Sequence, residues 1–444
     1  MHLIAGVCPK AMESKMAKVP LQVCQPLTFR SGGLSKLEPR PLGVTTSAHL
    51  DLIRAVAAWA VLWGHLRNMF FADFQYVQHR SSLTNVIYLL TGFGHQAVIV
   101  FFVLSGFLIS SAVLKRHASG TWSWRGYAID RLSRLYTVLI PGLLLGLMWD
   151  KAGASIFAST GVYAHPLEGF GTAIAQSQIT VGTFVGNMLF LQTIACPTFG
   201  SNGPLWSLAN EFWYYVLFPL GLAAGLAWAK KFFGRAILLT TLTICLAVFV
   251  KSGILAGFVV WMAGCILVIA YSRFSLSKPA WLSLYLLLSS LALCVSLLAA
   301  RARESSVLGS DLALGLTFTL FLFGILQLEF GTGRDYYPRS AHRFAGFSYS
   351  LYVLHFPLLL FLKAWLSPSQ KWQPDTPHLV CGAILGAIAL SFAWLVSLFT
   401  ENKTRSVRNW MDYLVQRAGR AVTRTTPVEA EIPPSLAAVE QSFN

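Results

Sequence analysis

An arginine and a histidine eleven residues apart, Arg54 and His65, stand in the apolar stretch LDLIRAVAAWAVLWGHL (50–66). On a helix, eleven residues return to within about 20° of three full turns, so both side chains project from one face, about 16 Å apart along the axis. Asp51, three residues before Arg54, is within ion-pair reach of it. In hydrocarbon each such group costs several kcal/mol unless it is paired or faces a water-filled cavity, so each is a functional-site hypothesis. Glu211, in PLWSLANEFWYYVLFP (204–219), falls about 10 Å inside its span, the level inferred for His65. A carboxylate there could orient an imidazole acting as general base, or pair with a Tyr or Asn inside the bundle. His355, in FSYSLYVLHFPLLLF (347–361), lies mid-span. Pro357 follows it, and a proline-weakened turn beside a polar residue often lines a cavity; the other reading is a bond to a neighbouring helix. Arg131 and Arg134 of RLSRLY (131–136) lie one turn apart, suited to bidentate phosphate binding or to anchoring a basic helix end. Ser105-Gly106 reads as a small-residue site for close helix packing.

The elements that must position these groups are membrane spans. The chain of 444 residues is 55% hydrophobic and 12% charged, about half the charge of a soluble domain, which excludes an ordinary cytosolic enzyme. Apolar segments of spanning length fall at 50–68, 96–114, 132–149, 206–228, 233–250, 254–272, 280–300, 312–329, 347–365 and 379–400. The fold expected is an all-α polytopic membrane protein with about ten transmembrane helices and no soluble domain. With the N-terminus in the cytosol, 25 of the 34 Lys and Arg fall on the cytosolic side and eight on the other, leaving Arg54 inside the membrane. The net charge of +16 is therefore an orientation signal, and nucleic acid is not an expected partner. The partition expected is a disordered cytosolic tail (1–48), a transmembrane domain (49–405) and a largely disordered cytosolic tail (406–444). The domain includes one long external loop (151–205), whose stretch 182–195 either dips into the membrane or packs across helix ends. Seven cysteines without CxxC spacing imply no metal site; Cys196 and Cys381, both facing outward, could form one bridge.

Five segments in order resemble the acyltransferase-3 family of multi-spanning membrane O-acyltransferases, which includes O-antigen and exopolysaccharide acetylases. They are the Arg54-to-His65 spacing, FFVLSGFLIS (101–110), RLSRLY (131–136), LWSLANEFWY (205–214) and FSYSLYVLHFP (347–357). The resemblance covers about residues 48–405. It implies transfer of an acyl group, usually acetyl, from acyl-CoA to a hydroxyl of a carbohydrate or glycolipid acceptor, in a bacterial inner membrane. By motif matching, Arg54 and His65 correspond to the family's essential pair, Arg131 and Arg134 to its Arg-x-x-Arg element, Glu211 to its acidic residue, and His355 to its late histidine. The catalytic set expected is thus His65, Glu211 and Arg54, with Arg131, Arg134 and Arg54 on the phosphates of acetyl-CoA, a co-substrate; no permanently bound cofactor or metal is expected. Trp206, Asn210, His355 and Ser105 are the candidates on the substrate side, Trp206 by stacking on a sugar face. Two departures from the family pattern are Thr137, where a proline often follows the arginine element, and Glu401-Asn402, where Glu is commonly followed closely by Pro. A transporter or flippase of a glycan or lipid-linked sugar is the competing class; inverted repeats and paired broken helices would mark it, and the sequence has neither.

Overall fold

The computed structural model describes residues 38–165, 175–276, 278–302, 307–328, 336–367 and 370–425. Residues 1–37 and 426–444, which hold most of the two expected tails, lie outside the described residues, as do Cys8, Cys24 and positions 166–174 of the long loop.

Ten long helices fall on the ten expected spans: α1 (Val44–Phe70), α3 (Gly94–Ala118), α4 (Trp124–Ile156), α6 (Leu205–Ala229), α7 (Phe233–Phe249), α8 (Lys251–Arg273), α9 (Pro279–Ala302), α10 (Val307–Leu326), α12 (Ser348–Leu366) and α13 (Thr376–Phe399). Between or beyond them lie α2 (Ser82–Leu90), α5 (Val181–Met188), α11 (Tyr336–Ala345) and α14 (Thr404–Thr425). Among the described residues there is no strand beyond two isolated bridges. Among the described residues, eight segments are long and apolar enough to cross a bilayer. The other two of the ten depart for visible reasons: α7 has only 17 residues, and α1, with 27, carries Asp51, Arg54 and Arg67. Both remain part of the bundle, and the molecule is an all-α polytopic membrane protein.

Leucines on α9 such as Leu287, Leu288 and Leu291 are exposed, as expected of a helix whose outer face meets lipid. The interior is built by close crossings. At Gly106 of α3 an added Cβ would stand 2.0 Å from the Trp261 carbonyl oxygen, and at Gly264 of α8 it would stand 2.2 Å from that of Val103. Only glycine lets these two backbones touch, which is the packing role read for Ser105-Gly106.

Of the three prolines inside described spans, Pro141, Pro219 and Pro357, the last two show how the carbonyl freed four residues earlier is covered, proline having no N–H to donate. A bare carbonyl is costly in hydrocarbon, so a neighbour must supply a donor. Pro219 frees Tyr215, whose carbonyl accepts from the Tyr127 hydroxyl at 2.9 Å. Pro357 frees Val353, whose carbonyl accepts from Asn202 Nδ2 at 2.8 Å. Asn202 belongs to the long loop and is 3% exposed, so the loop is tied to α12 at its weakened turn. Asn202→Leu is expected to destabilise the fold by about 1–3 kcal/mol, the cost of stranding a buried acceptor. A thermal unfolding midpoint equal to wild type would contradict this.

The stretch 182–195 inserts between α4 and α6. Its Met188 carbonyl accepts from Tyr136 Oη at 2.8 Å, and its Phe190 carbonyl from Trp213 Nε1 at 2.8 Å. Trp213 lies about 12 Å inside α6. Irregular backbone at that depth is tolerated because protein donors cover it. Phe190, fully buried, adopts φ 56°, a left-handed conformation unusual for a bulky residue, and stacks on Phe212 with centroids 4.2 Å apart.

Beyond the last span the chain continues as α14, from Thr404 to Thr425. Its apolar residues recur at helical spacing, and Arg408 pairs with Asp130 of α4, which also receives Arg116 of α3. That shared carboxylate gives the segment a docking point, which composition alone did not reveal. Cys196 and Cys381 are both free thiols, so the bridge conceivable from sequence is not formed.

Candidate active site

Helices α1 and α12 run side by side and place the chemistry in two tiers. The first is a cavity enclosing about 650 Å³ of empty space, its open mouth included, lined by Arg54 of α1, Arg134 of α4, Glu211 and Tyr215 of α6, and Tyr349 and Tyr352 of α12. Phe101, Phe102 and Leu208 give it an apolar wall.

Arg54 pairs with Asp51, the local pair expected from their spacing, yet its Nε is buried with no hydrogen-bond partner. Arg134 is close enough to repel Arg54, while Asp51 and Glu401 attract it. Two guanidiniums facing one cavity, one with an orphaned N–H, form a site for an anion. Glu401, whose role the departure from the family pattern left in doubt, accepts from the Ser350 backbone N–H at 3.1 Å and from its hydroxyl at 3.0 Å. It thereby holds a negative charge behind both arginines. Arg131 is set apart: it does not line the cavity, and its guanidinium lies over the Tyr127 ring, 5.8 Å from the centroid.

The second tier lies about one helical turn beyond Tyr352. There His65 Nδ1 and His355 Nε2 are 2.7 Å apart, with the two rings within 5° of parallel. His355 Nδ1 is 2.9 Å from the Leu351 carbonyl, which can only accept. His355 must therefore carry its proton on Nδ1, its Nε2 is a lone pair, and His65 must donate to it through Nδ1–H. A neutral His65 then carries a lone pair on Nε2, the arrangement of a general base held in one tautomer. His355 is 1% exposed whereas His65 is half-buried, so His65 is the more accessible of the two rings. Phe356 closes the far side, edge-on to His65 at 5.2 Å.

The residue set against the His65 ring is thus His355, where Glu211 was expected. Glu211 instead accepts a hydrogen bond from Tyr215, four residues on and on the same face. Tyr215 is linked in turn to Ser105, which receives Trp261 Nε1 at 3.2 Å. Ser105 consequently stands behind the cavity wall, and the buried Asn210 does not line the cavity either. Trp206 lies at the far end of α6, packed edge-to-face on Phe102 at 6.2 Å. Sequence reasoning missed Tyr215, Tyr349, Tyr352 and Ser207 as cavity residues. The i,i+4 spacing of Glu211 and Tyr215 was a usable signal; nothing local marks Tyr349 or Tyr352 among so many buried aromatics. Among the described residues no group of three His, Cys, Asp or Glu could hold a metal.

A polytopic helical protein with a buried histidine pair beside a cavity lined by two arginines fits a membrane acyltransferase. The profile of the acyltransferase domain family, type 3, matches residues 47–396. The chain belongs to the acyltransferase-3 family. It is similar to the acyltransferase MdmB of Streptomyces mycarofaciens, 29% identical over 183 residues. That match takes in 40% of this chain and spans 40% of the length of the relative. No solved structure matches the chain.

Proposed function

We propose that this protein is a membrane O-acyltransferase that moves an acetyl group from acetyl-CoA to a hydroxyl of a carbohydrate acceptor, with His65 as the general base. The observation that carries the reading is the His65–His355 pair set one turn beyond a cavity that holds Arg54 and Arg134. Arg54 and Arg134 bind phosphate oxygens of the donor by charge-assisted hydrogen bonds, and Arg131, one turn away, adds to the positive field at the mouth. The extended pantetheine arm runs along α1 toward His65. The acceptor oxygen attacks the thioester carbonyl while His65 Nε2 takes its proton. The tetrahedral intermediate then collapses, the carbon–sulfur bond breaks, and the leaving thiolate takes that proton from His65. His355 keeps the His65 lone pair aimed at the reacting hydroxyl throughout.

The orientation that suits this route puts both termini and the Arg54 end in the cytosol of a bacterial inner membrane, where acyl-CoA is found. The acceptor, a surface polysaccharide or lipopolysaccharide, then meets His65 from the opposite side. The excess of cations on the connections assigned to the cytosolic side supports it. The test is mass spectrometry of surface glycans from cells with and without the gene, together with radiolabelled acetyl transfer by the purified protein in lipid nanodiscs. An acetyl difference on a glycan is expected; identical glycans and no consumption of acetyl-CoA would overturn the reading.

A further inference from the structure

A further histidine lies on the His65 side of the molecule, and no step above uses it. His95, in the first turn of α3, directs Nε2 at both carboxylate oxygens of Asp311 on α10, at 3.0 and 3.2 Å. Its ring lies within 19° of parallel to the Trp206 indole of α6, centroids 6.4 Å apart. Three helices that are distant in sequence thus bring an imidazole, a carboxylate and an indole together. The cluster shares its level with the reacting histidine, because the α1 and α3 backbones touch one residue before each: a Cβ on Gly64 would stand 3.3 Å from Gly94 Cα. It also adjoins the cavity, since Trp206 packs on Phe102, which lines it.

The donor–acceptor arithmetic gives this cluster a direction. An ionised Asp311 can only accept, so His95 donates through Nε2–H and, as a neutral imidazole, presents its Nδ1 lone pair. The His95 side chain is 44% exposed and that of Asp311 13%, so the imidazole is open to a ligand while its anchor is sheltered. A flat indole beside a fixed hydrogen-bond acceptor and a carboxylate suits a pyranose: the apolar face of the sugar covers the ring, and its hydroxyls donate to His95 and Asp311. A purely structural ion pair would not need an exposed ring aligned with an aromatic neighbour.

We infer that His95, Asp311 and Trp206 form the acceptor-binding platform, which seats a sugar ring between α3, α6 and α10 with one hydroxyl directed toward His65. The inference rests on the acyl-transfer reading above and deepens it. His95 and Asp311 are positioning residues here, and His65 remains the base.

The experiment uses the full chain in lipid nanodiscs, acetyl-CoA as donor, and methyl glycosides of common hexoses and deoxyhexoses as acceptor probes. Transfer to at least one glycoside is expected. Asp311→Asn, nearly isosteric and so able to fold, and His95→Gln are expected to raise KM for that glycoside by about tenfold or more, the scale of one lost hydrogen bond. The KM for acetyl-CoA should move less than about twofold, since the donor cavity is untouched. Trp206→Leu should act in the same direction, with Trp206→Phe recovering part of the loss. An unmoved glycoside KM, or both KM values rising together, overturns the platform. If a non-sugar alcohol such as glycerol is acetylated and no glycoside is, the sugar class is wrong while acyl transfer stands. If none of the probes leads to consumption of acetyl-CoA, it is the acyl-transfer reading that falls.

Discussion

His65→Ala lowers the rate of acetyl transfer by a factor on the order of 10²–10⁴, the contribution of a positioned general base, while the protein still inserts and folds. The expectation follows from the hydrogen-bond chain, not from the presence of a histidine alone. The Leu351 carbonyl fixes the proton of His355, and His355 fixes that of His65. Breaking the chain at its second link has a distinct signature. His355→Phe leaves the base in place but frees its proton to occupy either nitrogen, so kcat falls about tenfold to a hundredfold, the scale known for groups that orient a functional histidine. The KM for acetyl-CoA should change little, because no donor contact is lost. Nitrogen-15 spectra of labelled imidazoles would show Nε2 of His65 as the lone-pair nitrogen in the wild type and a mixture in the variant. Full activity in His65→Ala would sink the base assignment; full activity and an unchanged tautomer in His355→Phe would sink the relay.

Removing either cavity arginine produces the second large effect, of a different kind. A hydrogen bond to a charged group contributes about 1.5–3 kcal/mol, so Arg134→Ala or Arg54→Ala should raise the apparent KM for acetyl-CoA by about 10–100-fold. Arg54 should be the more sensitive position, because its loss also removes the guanidinium from Asp51 and leaves that carboxylate only its His342 contact. Arg131→Ala should give the smallest change of the three, since its guanidinium lies over Tyr127 outside the cavity lining. The contrast separates a ligand role from simple orientation of the helix, which would treat Arg131 and Arg134 alike. Equal responses at the two positions, measured by initial rates over a range of acetyl-CoA concentrations, would refute the cavity as the phosphate site. Replacing Glu401 by Gln should act in the opposite direction to the arginine changes on the donor's electrostatics, but it also weakens the Ser350 contacts that hold α12.

The amino-acid sequence by itself determined the class of fold, because a bilayer admits few solutions: runs of about twenty apolar residues must be helices, and all ten were legible. It also determined which residues were worth watching, since an ionisable group in hydrocarbon is too costly to be incidental. Local pairs followed from helix geometry, as Asp51 with Arg54 shows. Partners from distant helices did not. His65 and His355 are 290 residues apart in sequence, and nothing in either segment says that their rings meet; the choice between His355 and Glu211 as the group that orients His65 depends on how α1, α6 and α12 are rotated against one another. The separation of Arg131 from Arg134, the Asp130 anchor of α14 and the His95–Asp311–Trp206 cluster have the same origin. Spacing along one helix fixes a face, but only tertiary packing decides what that face meets.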